Sequence, residues 1–218
     1  MRDNSNIVLS FDLDNTLIDN KDGIINSFNY TLREYNLKER DRIEIEKMIG
    51  IPLNDMFTQV CDFDPSEMSM IFRKYYSIKG VSQAKLLSGV EEKLKELKNY
   101  SFSLGIITSK NQEIAVKVIK FLKIEKYFEY ILGESHEIKS KNDPKIKELL
   151  NKMYPGYKFI VIGDHPKDAM LSTNLNCPFI GVLTGFHSSD DLRSYAKTNH
   201  LIIKSVQDLT IEEIYSLV

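Results

Sequence analysis

Two aspartates, Asp12 and Asp14, follow an apolar run, Ile7-Val-Leu-Ser-Phe11, with only Leu13 between them. Alternate residues of an extended segment point the same way, so the two carboxylates are expected to emerge together. Paired anions in a half-buried place repel and lose hydration, a cost that a cation or a shared proton must offset. A second apolar run, Phe159-Ile-Val-Ile-Gly163, also ends in acids, Asp164 and then Asp168 four residues on. Carboxylates at two strand ends make a hard oxygen site suited to Mg²⁺ with a phosphate ligand.

These residues must be carried by a framework, and the rest of the chain describes one. Phe102–Thr108, Tyr130–Gly133, Phe159–Gly163, Phe179–Val182 and Leu201–Ile203 read as strands. Val90–Leu97, Ile114–Leu122, Lys145–Met153 and Asp168–Leu175 carry apolar residues at helical spacing between them. The alternation predicts an α/β fold, a Rossmann-like parallel sheet with helices on both faces, joined by the strand at 7–11. Ligands of such sheets sit beyond the carboxyl ends of the strands, where Asp12, Thr108 and Asp164 fall. Residues 20–87 break the pattern. Ile24, Ile25, Phe28, Leu32 and Tyr35 recur at helical spacing, and further helices are expected at Ile43–Met48, Leu53–Val60 and Ser66–Tyr76, with no good strand. The expected division is residues 1–19 and 88–218 as an α/β core, and 20–87 as a small helical unit.

Asp12-Leu-Asp-Asn-Thr16, Thr108, Lys141 and Gly163-Asp-His-Pro-Lys-Asp168 stand in an order and spacing that resemble the haloacid dehalogenase-like hydrolases, specifically their phosphoglycolate phosphatase-like branch. The resemblance covers nearly the whole chain. It implies that Asp12 is a nucleophile toward phosphorus and Asp14 a general acid and base, with Thr108 bonding a phosphoryl oxygen and Lys141 neutralising charge. It implies Mg²⁺ as cofactor, with metal positions at Asp12, Asp14 (through its backbone carbonyl), Asp164 and Asp168, the last supporting the ion's water shell. Asn15, Thr16 and Ser109 are expected to orient or bind the phosphate. Residues 20–87 become a cap inserted after the first motif; the span from Thr108 to Lys141, already used by a helix and a strand, leaves no room for a later one. Gly50-Ile-Pro-Leu53 resembles a cap loop facing substrate.

Each position also has a plainer use. Asp164 could cap the helix that Pro166 begins, and Thr108, Ser109 or Asn111 could cap the next helix after its strand. Lys139 competes with Lys141, because the branch normally shows Lys-Pro-x-Pro where this chain has Lys-Asn-Asp-Pro. Further departures are Ser109 for the usual Asn, Ser88 before Gly89 for the usual Pro, and His165-Pro166 after the metal aspartate. His136, His165, His187 and His200 are expected to be solvated surface residues.

Composition bounds the alternatives. Apolar residues make up 42% and charged residues 28%, and 29 bases balance 31 acids in no long block of one sign. This suits a soluble protein and gives no nucleic-acid groove, polybasic patch or membrane span. The start lacks a signal-like apolar run, and Cys61 and Cys177 read as thiols of a reducing cytoplasm. The expected function is a cytoplasmic, Mg²⁺-dependent phosphatase of a small phosphorylated metabolite, a monomer or homodimer. A phosphosugar mutase, with Arg33, Arg73 and Lys74 as cap candidates, and a non-catalytic phosphate-binding regulator are the alternatives.

Overall fold

The computed structural model describes Asn6 to Val218, so most of the opening segment read for a signal lies outside the described residues. The chain divides into two compact units, Met1–Ile18 with Leu86–Val218, and Asp19–Lys85.

The larger unit begins with β1 (Ile7–Phe11), all five of whose residues are buried. The chain then leaves through the short β2 (Ile18–Asp19) and returns through β3 (Lys85–Leu86). After it come α5 (Val90–Asn99), β4 (Ser103–Asn111), α6 (Gln112–Phe121), β5 (Tyr130–Glu134) and α7 (Pro144–Met153). These are followed by β6 (Lys158–Gly163), α8 (Pro166–Leu175), β7 (Phe179–Val182), α9 (Ser189–Tyr195), β8 (His200–Ile203) and α10 (Ile211–Leu217). Six strands form one sheet in the order β5-β4-β1-β6-β7-β8, and every pairing is parallel. Strands buried on both faces need continuous apolar sequence, which is why these runs were readable.

Alternation divides their side chains between the faces. Val8, Ile107 and Val161 join Ile146 and Leu150 of α7 and Ala169 and Leu171 of α8 in one cluster. From β1 the chain first moves toward β4 and β5, then crosses back to β6, β7 and β8. Right-handed crossovers in opposite directions put α5 and α6 on the other face, where Leu94, Val118 and Ile119 are buried. The reversal at β1 opens a crevice beyond its carboxyl end, the usual ligand position in such sheets.

The register decides which residues meet there. Phe11 lies level with Ile106 on one side and Ile162 on the other. The Asp12 N–H continues the ladder, donating to the Ile162 carbonyl at 2.8 Å. Asp12, Thr108 and Asp164 therefore leave three adjacent strands within a residue or two of one level.

The smaller unit is helical: α1 (Lys21–Glu34), α2 (Arg42–Glu46), α3 (Leu53–Thr58) and α4 (Pro65–Tyr75). Asp64 caps α4 by accepting from the Ser66 N–H at 2.8 Å, with Pro65 in the first turn. Beyond Tyr75 the helix continues as a π-turn, Tyr76–Gly80. Phe28 stacks on Phe57 at 4.6 Å, with Leu32, Ile45 and Met68 fully or almost fully buried around them. Gly23 lets α1 approach the π-turn, since a Cβ there would lie 2.6 Å from the Gly80 carbonyl oxygen. Cys61 and Cys177 are both free thiols.

Candidate active site

The first acidic pair does not simply project from an extended strand. The chain turns after Asp12: the Leu13 carbonyl accepts from the Leu17 and Ile18 N–H groups, and Asn15 adopts φ 57°. Asn tolerates this left-handed conformation better than most residues. The Asn15 carbonyl accepts from the Thr184 hydroxyl, so its backbone is what ties the turn to the loop after β7. The two carboxylates stay close enough for the Asp12 charge to raise Asp14, but they take different partners. Asp12 faces inward, whereas the Asp14 carboxylate ion-pairs with Lys110 at 2.9 Å.

The inward group is Asp12, Asp164 and Asp168, all buried, with one carboxylate oxygen from each within 4.8 Å of the others. The Asp14 side chain is not a member of this cluster. Lys141 bridges Asp12 and Asp168 with a buried ammonium. Lys139 is exposed, and its backbone N–H donates to Asp143 at 2.9 Å, so geometry separates the two competing lysines. Asp143 also caps α7 ahead of Pro144.

Several expected roles change with these partners. The N-cap of α8 is His165, not Asp164: its Nδ1 accepts from the Lys167 N–H, and Asp168 returns the bond by accepting from the His165 N–H at 3.0 Å. Asp168 is thus tied both to a helix start and to Lys141. The Thr16 hydroxyl is committed to Asp164 Oδ1 at 2.9 Å, so Thr16 orients a carboxylate. Thr108 is buried at the end of β4 and does not cap α6; Asn111 does, accepting from Glu113 and Ile114. The Thr108 hydroxyl accepts from the Lys110 N–H at 3.1 Å. Ser109 is half-buried and enters none of these contacts among the described residues. His165 is not a surface residue either; it is partly buried, edge-on to His187 at 4.5 Å between centroids.

Two glycines make the crowding possible. A Cβ on Gly163 would stand 2.2 Å from the Asp168 carboxylate, and one on Gly185 would stand 1.9 Å from Asp164 Oδ2. Sequence reasoning missed Gly185, Thr184 and Lys110. Gly185 was visible only as a turn glycine after β7, Lys110 only as one more lysine. The reciprocal bond of Asp168 to the helix start did have a signal, the three-residue spacing from His165.

The electrostatics follow from burial. Desolvation raises Asp164 well above the usual carboxylate range, and the charges of Asp12 and Asp168 push the same way. Burial pushes Asp168 up to about 6 against the opposing pull of Lys141. Burial alone would lower Lys141, but the Asp12 and Asp168 carboxylates more than reverse this and keep it protonated. Asp14 is raised by burial, with Lys110 pulling it back. His165 is pushed down to about 4 by burial, then by His187 and Lys167, and is neutral at pH 7.

Three buried carboxylates against one ammonium leave negative charge uncompensated when all three ionise. Hard oxygens and excess negative charge fit a divalent cation such as Mg²⁺. Asp12, Asp164 and Asp168 are the side chains that would hold it or its water shell.

A parallel sheet with a reversal at β1, carrying an acidic cluster and a buried lysine at that point, defines an α/β protein of Rossmann-like topology with a site suited to a cation. Residues 9–182 match the family model described as haloacid dehalogenase-like hydrolase. A haloacid dehalogenase-like family hydrolase from Streptococcus pneumoniae superposes with a TM-score of 0.80 at 30% identity, covering 92% of this chain and 95% of that one. A 5'-nucleotidase from Pseudomonas aeruginosa is 28% identical, covering 87% of this chain and 88% of the relative. The pyrophosphatase PpaX of Halalkalibacterium halodurans is also 28% identical, over 91% and 93%. The chain belongs to the haloacid dehalogenase-like hydrolases, in their phosphatase branch.

Proposed function

We propose that this chain is a Mg²⁺-dependent phosphatase of small phosphomonoesters working through an aspartyl-phosphate on Asp12, with Asp19–Lys85 as its cap unit. The observation that carries the reading is the buried Asp12 at the end of the central strand, joined by Lys141 to Asp168 and grouped with Asp164. A carboxylate nucleophile divides a very slow hydrolysis into two easier steps. An Asp12 oxygen forms a bond to phosphorus as the ester oxygen departs, and Asp14 gives that oxygen its proton. Water then attacks the phosphorus, Asp14 takes a proton back, and inorganic phosphate leaves with Asp12 regenerated. Lys141 keeps Asp12 oriented and offsets charge on the phosphoryl group, and Thr108 supplies a hydroxyl at the same level. The bound divalent ion would neutralise the negative charge that nucleophile and phosphate bring together.

Asp14 must carry a proton in the first step. At a pKa near 3.9, protonating an aspartate at pH 7 costs about 4 kcal/mol. Burial, which raises Asp14, reduces that cost.

Phosphoglycolate is the leading substrate by resemblance; nucleoside 5'-monophosphates and pyrophosphate join it because the 5'-nucleotidase and pyrophosphatase relatives carry those names. No helix among the described residues is long and apolar enough to cross a membrane. The reading places the enzyme in the cytoplasm as a monomer or homodimer.

The test is phosphate release across this panel with and without Mg²⁺, and with Asp12→Asn. Asp12→Asn is expected to lose at least about 10³-fold in kcat while keeping its circular dichroism spectrum. Near-wild-type turnover would remove Asp12 as nucleophile. Phosphate recovered on a sugar acceptor instead of in solution would make the chain a transferase.

A further inference from the structure

Lys110 lies outside the residues that the motif pattern singles out, yet it is built into the site. β4 pairs regularly with β5 through Ile107, then slips register before Asn111. Thr108, Ser109 and Lys110 occupy that irregular stretch, and such bulges re-aim side chains at strand ends. The Lys110 N–H is tied to the Thr108 hydroxyl, which fixes the backbone beside a proposed phosphate-binding group. Its ammonium reaches Asp14 Oδ2 at 2.9 Å. The Lys110 side chain is only 11% exposed, less than the 27% of its partner. A lysine this buried gives up hydration and rotamer freedom, which a pair serving only the surface would not require.

The cluster carboxylates are held by other groups: Asp12 and Asp168 by Lys141, Asp164 by Thr16. From this geometry we infer that Lys110 is a positioning residue for Asp14, holding its carboxyl where it can hand a proton to the leaving oxygen. The inference rests on Asp14 being the proton donor proposed above. A misplacement of about 1 Å at such a group can cost about 10²-fold in rate. Lys110 draws Asp14 toward its ionised form, against burial, so what it contributes is placement of the carboxyl, and its effect depends on how much the leaving group needs a proton.

That dependence supplies the test. In the full-length chain, kcat/KM is measured for Lys110→Met, Asp14→Asn and the double variant on two substrates. One is the alkyl phosphate monoester that the wild type hydrolyses best, whose alkoxide needs protonation. The other is p-nitrophenyl phosphate, whose phenolate leaves unaided. Lys110→Met is expected to lose about 10²-fold on the alkyl ester and under about threefold on the aryl ester, as for loss of general acid catalysis. The double variant should be no slower than Asp14→Asn, since groups acting as a unit are not additive. A partly unfolded variant lowers both rates together and leaves their ratio unchanged. Equal losses on both esters from Lys110→Met, or none, with the selective loss in Asp14→Asn intact, would overturn the role of Lys110 alone. Absence of that selective loss in Asp14→Asn would remove Asp14 as proton donor and this inference with it.

Discussion

Asp164 shows how a single side chain is tuned by neighbours distant in sequence. Thr16, 148 positions away, donates to one of its oxygens, while Gly185 leaves room beside the other. A methyl group at position 185 is fixed to the backbone, so the carboxylate must yield. Gly185→Ala is therefore expected to raise the Mg²⁺ concentration needed for half-maximal activity at least about 10-fold, the scale seen when groups that orient metal ligands are lost. Gly185 needs no positive φ, so backbone strain does not confuse the reading. Unchanged Mg²⁺ dependence would place the ion's binding away from Asp164.

Among the elements, the end of β4 separates roles that sequence left overlapping. Thr108, Ser109 and Asn111 were all suitable caps, and only the structure assigns the task to Asn111, whose side chain accepts from two backbone N–H groups of α6. Asn111→Ala is expected to lower the unfolding free energy by about 1 kcal/mol in a urea titration. Its KM should stay at the wild-type value, because Thr108 is not displaced. A large rise in KM would show that the cap also sets the phosphate-facing end of the strand. The start of α8 works differently. There the His165 ring accepts from the Lys167 N–H while the Asp168 carboxylate accepts from the His165 N–H, so the helix start itself aims Asp168 at Lys141.

At the scale of the whole molecule, the acidic cluster links stability to pH and metal. Asp168 rises to about 6 in the folded state, and Asp164 rises as well. A raised carboxylate favours folding below its unfolded value near 3.9, and that contribution disappears as pH climbs through about 6. The metal-free protein thus loses this stability on approaching neutrality, where Mg²⁺ can replace the lost protons. At pH 7.5 and a hundredfold excess over Kd, Mg²⁺ is expected to add about 2.7 kcal/mol, roughly 5–10 °C in Tm for a chain of this size. At pH 5 the gain should be much smaller, because protons already occupy the carboxylates. Thermal melts at both pH values, with and without Mg²⁺, check this. An equal gain at both would dissociate the metal from the cluster.

Local chemistry by itself determined the six strands of the main sheet and the acids that end β1 and β6; between residues 20 and 87 it marked the helices but missed the short strand at Lys85–Leu86, where no strand was expected. Buried parallel strands require unbroken apolar runs, and helical faces require their own period, so both are written in adjacent residues. The choice of Lys141 over Lys139, the commitment of Thr16 to Asp164 and the pairing of Lys110 with Asp14 were decided only by tertiary structure. Each depends on strand register and loop direction bringing side chains within about 3 Å. No local period or propensity encodes a distance between residues this far apart in sequence.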